Sequence, residues 1–175
     1  MISVLIPTYN YNAYNLVAEI HRQLLKSNVS FEIICLDDGS NSSQNDLNEK
    51  INTLSHSKFE ILAQNIGRSA IRNLLAKKAT FDWLLFLDAD VIPVKSDFIT
   101  TYLNQISEKN SVFCGGIAYQ NHADNQKYLR YKYGKKHEEV ALEERIKEPL
   151  KYFFTGNFFI AKEVFKEVQF EEKLV

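Results

Sequence analysis

Four short apolar runs punctuate the first half of the chain: "SVLIP" at residues 3–7, "FEIICL" at 31–36, "FEILA" at 59–63 and "WLLFL" at 83–87. Each has the length of a strand. Continuous rather than alternating apolar character marks strands covered on both faces. The intervening stretches repeat at helical spacing. Residues 13–27 set Leu16, Ile20 and Leu24 beside Val17 and Leu25, residues 42–54 carry Leu47, Ile51 and Leu54, and residues 67–78 turn Ala70, Leu74 and Leu75 inward. Strand and helix alternating in this way predict an α/β fold, with a mostly parallel, Rossmann-like sheet and helices on both faces. Beyond Pro93 the pattern predicts a short helix over 98–107 and a strand over 111–119 containing Gly115 and Gly116. An aromatic strand over 151–161, interrupted at Thr155, Gly156 and Asn157, then precedes a helical "KEVFKEV". Residues 121–148 hold five Lys and Arg between Lys127 and Lys136, then Glu138, Glu139, Glu143 and Glu144. They read most simply as a solvated helix or mobile segment, with a basic binding patch as the alternative.

At 175 residues and 45% hydrophobic, the chain suits one domain with a substantial core. A net charge of -1 gives no general attraction to nucleic acid. Cys35 and Cys114 each lie in an apolar run, which fits buried reduced thiols, and no Cys/His spacing suggests zinc. The opening "MISVLIPTYN" lacks the basic segment and apolar length of a secretory signal, and no run approaches a membrane span. The expectation from these features is a cytoplasmic chain, with peripheral association at the inner face of a membrane compatible with it.

Polar residues break the four strands at one end only: "PTYN", "DDGS", "QNIGRS" and "DAD" all follow an apolar run. In a parallel sheet those ends share an edge, the edge at which open α/β sheets bind ligands. Turn and cap preferences explain Asn, Asp, Gly and Ser singly. They explain adjacent Asp37 and Asp38, or Asp88 and Asp90 after a buried strand, less well, because a carboxylate there needs a cationic or hydrogen-bonding partner. Hard cations share one or two such carboxylates with phosphate oxygens, so D-x-D at a strand end suits magnesium or manganese. Arg68 and Arg72, one helical turn apart, can each reach the carboxylates. A structural Arg–Asp pair is the plainer reading of that placement.

Taken together, "VLIPTYN", "EIICLDDGS", "NIGRSAIRN" and "LLFLDADV" resemble, in order and spacing, the motifs of family 2 inverting glycosyltransferases with the GT-A fold. The resemblance covers essentially the whole chain and departs from the usual motif at Ile71, where alanine is expected. It implies that Pro7, Thr8 and Tyr9 line a nucleotide pocket, and that Asp38, with Asp37 as the neighbouring candidate, accepts a hydrogen bond from the base. Asn65 and Gly67 would border the base with Arg68 or Arg72 nearby, Asp88 would address the ribose, and Asp90 would hold Mn2+ or Mg2+ bridging the diphosphate. Ala89, Thr155, Gly156 and Asn157 would lie near donor sugar or acceptor. The implied reaction moves a sugar from a nucleotide-diphosphate sugar, a UDP-sugar being the expected class, to a glycan or lipid-linked acceptor with inversion, as in polysaccharide biosynthesis.

No residue is assigned as the catalytic base. "QFEEKLV" at 169–175 resembles the segment leading into the base motif, so Glu171 and Glu172 are not promoted, and the base is expected beyond Val175. His122 and His137 lie in the wrong part of the pattern for a metal ligand. The expected organisation is one domain over 1–175, with a nucleotide-sugar part at about 1–95 and the start of an acceptor part at about 96–175, incomplete and weak or inactive alone. Two alternatives remain at this point: a non-catalytic nucleotide-sugar-binding module, and a D-x-D phosphatase of haloacid-dehalogenase type. The latter normally carries its motif after the first strand of its core rather than the fourth.

Overall fold

A computed structural model describes residues 1–106, 111–120 and 128–173. Six strands form one sheet in the order β3-β2-β1-β4-β6-β5. The first four are β1 (Ile2–Thr8), β2 (Phe31–Asp37), β3 (Ser57–Ile61) and β4 (Trp83–Leu87), all mutually parallel. The last two, β5 (Val112–Cys114) and β6 (Asn157–Ala161), run antiparallel at the β4 side, through β4–β6 and β6–β5 pairing.

Successive residues of a strand point to opposite faces, and the apolar runs divide accordingly into two cores. On one face Ile2, Val4, Ile6, Ile33, Cys35, Trp83, Leu85 and Leu87 pack with Leu16, Val17, Ile20 and Leu24 of α1 (Tyr14–Leu24). Ile99 and Tyr102 of α4 (Phe98–Leu103) join the same cluster. On the other face Leu5, Ile34, Leu36, Leu84, Phe86 and Phe158 meet Ile71 and Leu75 of α3 (Arg68–Lys78) and Phe165 of the last helix. Each such side chain, fully buried, contributes about 1.5–3 kcal/mol of transfer free energy. Unbroken strand hydrophobicity is therefore what a sheet with helices on both faces requires.

Several expectations shift. The 42–54 helix is a short α2 (Gln44–Asn48) followed by a 3-10 turn (Glu49–Thr53) that ends in extended backbone at Leu54. Its inward side holds Asn45 and Asn48 as well as Ile51, while Leu47 is exposed. These asparagines serve neighbouring loops, and Asn, Asp and Ser are weak helix formers. Leu25 lies past the end of α1 and is exposed; in α3 the buried set is Ile71, Arg72, Leu75 and Ala76, with Ala70 and Leu74 half-buried. Strand β3 starts and ends two residues earlier than its apolar run. Strand β5 ends at Cys114; the Gly115 amide makes one further rung to the Asn157 carbonyl (2.9 Å) and the chain then departs, with the Tyr119 amide donating to Glu139 (2.9 Å). Of the 151–161 run only Asn157–Ala161 is strand.

The charged stretch forms α5 (Tyr128–His137) and α6 (Leu142–Lys147), both mostly solvated, and α7 (Lys162–Glu167) closes the second core. Residues 121–127, with His122, lie outside the described residues, as do 107–110 at the end of the expected 98–107 helix. Cys35 is buried and Cys114 half-buried, both free, and burial pushes the Cys35 thiol well above its ordinary range. Among the described residues no helix is long and apolar enough to cross a membrane.

Candidate active site

All four parallel strands deliver their carboxyl ends to one side. Strand β1 ends at Thr8, whose hydroxyl donates to the Tyr11 carbonyl (3.1 Å). The loop that follows turns through Asn10 at φ 53°, a left-handed conformation that asparagine tolerates better than most residues. Fully buried Asn48 fixes this loop from outside, donating to the Tyr11 carbonyl (2.9 Å) and accepting from the Ala13 amide (2.8 Å). Tyr9 and Tyr11 are thereby held exposed at the pocket mouth.

At the end of β2 the two adjacent aspartates diverge. Asp37 is fully buried and accepts from the amide (2.7 Å) and hydroxyl (2.6 Å) of Ser40, which closes its own turn. It is not among the pocket-lining residues, whereas Asp38 is. Asp38 faces the loop after β3 and accepts from the amides of Ile66 (2.8 Å) and Gly67 (3.0 Å). A carboxylate offers about four acceptor positions, which leaves capacity for a ligand donor. Gly39 makes this approach feasible: it sits at φ 70°, and a Cβ there would lie 2.6 Å from the Asn65 amide nitrogen.

Helix α3 contributes two arginines with different environments. Arg68 is exposed on the pocket wall, whereas Arg72 is buried. Arg72 donates to the Arg68 carbonyl (2.9 Å) and forms an ion pair with Asp88. The side chain of Asp88 is 26% exposed and that of Arg72 6%, so the pair sits where water screens only one partner. The Asp88 amide donates to the Gly156 carbonyl (3.0 Å), and a Cβ at residue 156 would lie 2.7 Å from Asp88 Oδ2. Asp90, two residues further, is exposed.

Pro7, Thr8, Tyr9, Asp38, Asn65, Gly67, Arg68, Arg72, Asp88, Ala89 and Asp90 line one open cavity of about 340 Å³, together with Tyr11 and Ile71. Sequence reading missed the last two. Tyr11 carried a signal, since it lies two residues beyond Tyr9 in the same polar break; Ile71 carried none apart from its neighbour Arg72. Thr155, Gly156 and Asn157 are not in the lining. Gly156 backs Asp88, Thr155 is exposed, and Asn157 turns into the protein, where its Oδ1 accepts from the Tyr102 hydroxyl (2.7 Å). Burial raises the pKa of that phenol far above its ordinary value, so it remains a neutral donor. A larger cleft, about 810 Å³, runs between α3 and α7; it shares Asn65 with the first but contains none of Asp38, Asp88 or Asp90.

Among the described residues no three His, Cys, Asp or Glu side chains group closely enough to hold a metal by themselves. The exposed carboxylate of Asp90 in this cavity would suit a hard cation that takes its other ligands from phosphate and water, the usual habit of magnesium and manganese.

A family model described as glycosyl transferase family 2 matches residues 3–169. The chain belongs to this family. Among curated relatives, an uncharacterized glycosyltransferase from Rickettsia felis is 31% identical over 128 residues, 73% of this chain and 21% of the relative. Another from Haemophilus influenzae is 31% identical over 117 residues, 66% of this chain and 46% of that protein. Solved structures share the fold: S. aureus TarS 1-349 superposes with a TM-score of 0.64 at 23% identity, covering 99% of this chain and 51% of that one. The mannosyltransferase PcManGT from Pyrobaculum calidifontis, in complex with GDP-Man and Mn2+, gives 0.63 at 13% identity, covering 98% and 48%. TarS has also been solved with UDP and with UDP-GlcNAc. The chain thus spans about half the length of these solved proteins and less than half of the curated relatives. Family membership displaces the phosphatase alternative.

Proposed function

We propose that this chain forms the nucleotide-sugar side of a transferase that moves a sugar, with inversion, from a nucleoside-diphosphate sugar to a glycan or lipid-linked acceptor. The observation carrying this reading is the convergence of Asp38, Asp88 and Asp90 with Tyr9 and Arg68 in one cavity, although they come from three different strand ends and one helix. Asp38, anchored by two backbone amides, presents a fixed acceptor to a base N–H. Asp88, oriented by Arg72, addresses the ribose. Asp90 would hold Mg2+ or Mn2+, which neutralises charge building on the departing diphosphate.

Inversion requires the acceptor hydroxyl to attack the anomeric carbon opposite the breaking C–O bond, whose electron pair leaves with the diphosphate. The hydroxyl proton must pass to a base. The three carboxylates of the pocket are engaged toward the donor in this reading, and no further acidic residue among the described residues lines it. That observation favours, as the second reading, donor binding by these residues without turnover of their own. A UDP-sugar is the expected donor class, supported by the UDP and UDP-GlcNAc complexes of TarS, and the GDP-Man complex of PcManGT offers the guanine alternative.

Calorimetric titration with UDP, GDP and dTDP, with and without Mn2+, followed by a sugar-release assay on the best binder's sugar nucleotides, tests both readings. Tight metal-dependent binding of one nucleotide supports a donor site, and transfer or release separates enzyme from module. No binding of any of the three removes both. Asp38→Ala is expected to weaken uridine itself by roughly tenfold or more, equally with and without metal, because hydrogen bonds to a charged group contribute about 1.5–3 kcal/mol. A defect confined to metal-dependent UDP binding would instead put Asp38 at the diphosphate.

A further inference from the structure

We propose that Asn73 and Phe170 are positioning residues for the ribose-binding carboxylate, so that the segment 169–172 helps to set donor recognition although it lies outside the donor pocket. The inference rests on the nucleotide reading above and extends it to residues with no place in the pocket lining.

Arg72 and Asn73 are consecutive in α3 and face different partners. The Asn73 side chain pairs with the Phe170 backbone in both directions, donating to its carbonyl (2.9 Å) and accepting from its amide (3.0 Å), and also donates to Glu172 (2.8 Å). This seats the Phe170 ring against Phe86, Phe158 and Phe165. The same ring lies 5.7 Å from the Arg72 guanidinium carbon, within the range of a cation–π contact.

The state of Arg72 shows why that ring matters. Its Nη1 and Nη2 donate to the Arg68 carbonyl and to Asp88, but among the described residues its buried Nε has no hydrogen-bond partner. A planar guanidinium left to itself would turn until all its N–H groups found acceptors, since a buried unsatisfied donor costs about 1–3 kcal/mol. Packing therefore holds a pose that hydrogen bonding alone would not select. The Phe170 ring covers the guanidinium, Nη2 is directed at Asp88, and Gly156 closes the other side of the carboxylate. Removing the ring or its Asn73 anchor frees the guanidinium to rotate, and Asp88 loses its orientation.

The test compares nucleoside diphosphates with and without ribose hydroxyls. UDP and GDP are each titrated calorimetrically, alongside their 2′,3′-dideoxy counterparts, into the native chain and into Asn73→Ala, Phe170→Leu, Phe170→Tyr, Lys77→Ala and Asp88→Asn, with melting curves for each. The native chain should prefer the ribose form roughly tenfold, as expected for hydrogen bonds to a charged group. Asn73→Ala and Phe170→Leu should lose most of this preference. Phe170→Tyr, which keeps the ring face, and Lys77→Ala, an exposed residue that lines the cleft between α3 and α7 together with Asn73, should retain it. A purely structural role would lower melting temperature without changing the ratio. An unchanged ratio in Asn73→Ala and Phe170→Leu, with the ratio lost in Asp88→Asn, overturns the positioning role and leaves the nucleotide reading standing. A ratio retained in Asp88→Asn, or no binding of either nucleotide, overturns the ribose assignment and this proposal with it.

Discussion

Replacing Gly39 by alanine is expected to destabilise the fold by about 3 kcal/mol and to abolish nucleotide binding. Two costs combine. A non-glycine residue held at φ 70° pays about 1–2 kcal/mol for left-handed backbone, and a methyl group forced into a packed site adds about 1–3 kcal/mol. The obstruction here is backbone: the new Cβ would lie 2.6 Å from the Asn65 amide and 2.8 Å from the Gln64 Cα. No side chain can swing away to relieve it, so the loop after β3 must retreat. That retreat breaks the Asp38 bonds to Ile66 and Gly67 and separates Asn65 from the rest of the pocket. Chemical denaturation gives the stability change and UDP titration the binding change. Alanine tolerated at residue 39 within 1 kcal/mol would mean that the two loops do not meet as described.

Asp88→Ala should cost about 3 kcal/mol, because removing one partner of a buried ion pair leaves the other charge without compensation. Arg72 is the stranded group, being the more enclosed of the two. Asp88→Asn keeps a carbonyl oxygen for Arg72 and should cost only about 1 kcal/mol, while still weakening the ribose contact. Equal loss of stability in the alanine and asparagine variants, read by denaturation, would show that the charge matters more than the acceptor.

The parallel strands β1, β2 and β4 were legible in the sequence because strands buried on both faces cannot avoid unbroken apolar runs; β3, at the sheet edge, buries only Phe59 and showed its direction through its place in the strand–helix alternation. The antiparallel placement of β6 was not legible. "NFFIA" is just as apolar, since Phe158 and Phe159 enter opposite cores, and strand direction leaves no trace in local hydrophobicity. Nothing in the sequence marks Asn45 and Asn48 as inward-facing; the loop geometry around Tyr11 and Ser40 reveals them as buried struts. The choice between Asp37 and Asp38 was open for a related reason. Neighbouring residues at a strand end point to opposite sides, and which side holds the pocket depends on where the loop after β3 returns.

Position along α3 likewise could not tell Arg68 from Arg72. Helical spacing puts both on one wall, and both do line the cavity, yet burial against Phe170 makes Arg72 the partner of Asp88. The segment 155–157 was expected near donor sugar or acceptor, and none of its three residues lines the cavity. Its side chains serve the fold: Gly156 by leaving room for Asp88, Asn157 by meeting Tyr102. Phe170, a single aromatic in a charged tail, gave no local indication that it would contact an arginine from a helix nearly a hundred residues earlier.

The most direct test of the account is calorimetric titration of UDP into the native chain and into Asp90→Asn, each with Mn2+ and with a chelator. Asp90 is exposed at a strand end, so the substitution creates no cavity and should leave the melting temperature unchanged. Native affinity is expected to rise roughly tenfold or more when Mn2+ is present, the scale of a charge-assisted contact to phosphate, and Asp90→Asn should bind equally in both conditions at the native metal-free level. Affinity in Asp90→Asn that still rises with Mn2+ as in the native chain would contradict a donor site with its cation at the D-x-D carboxylate.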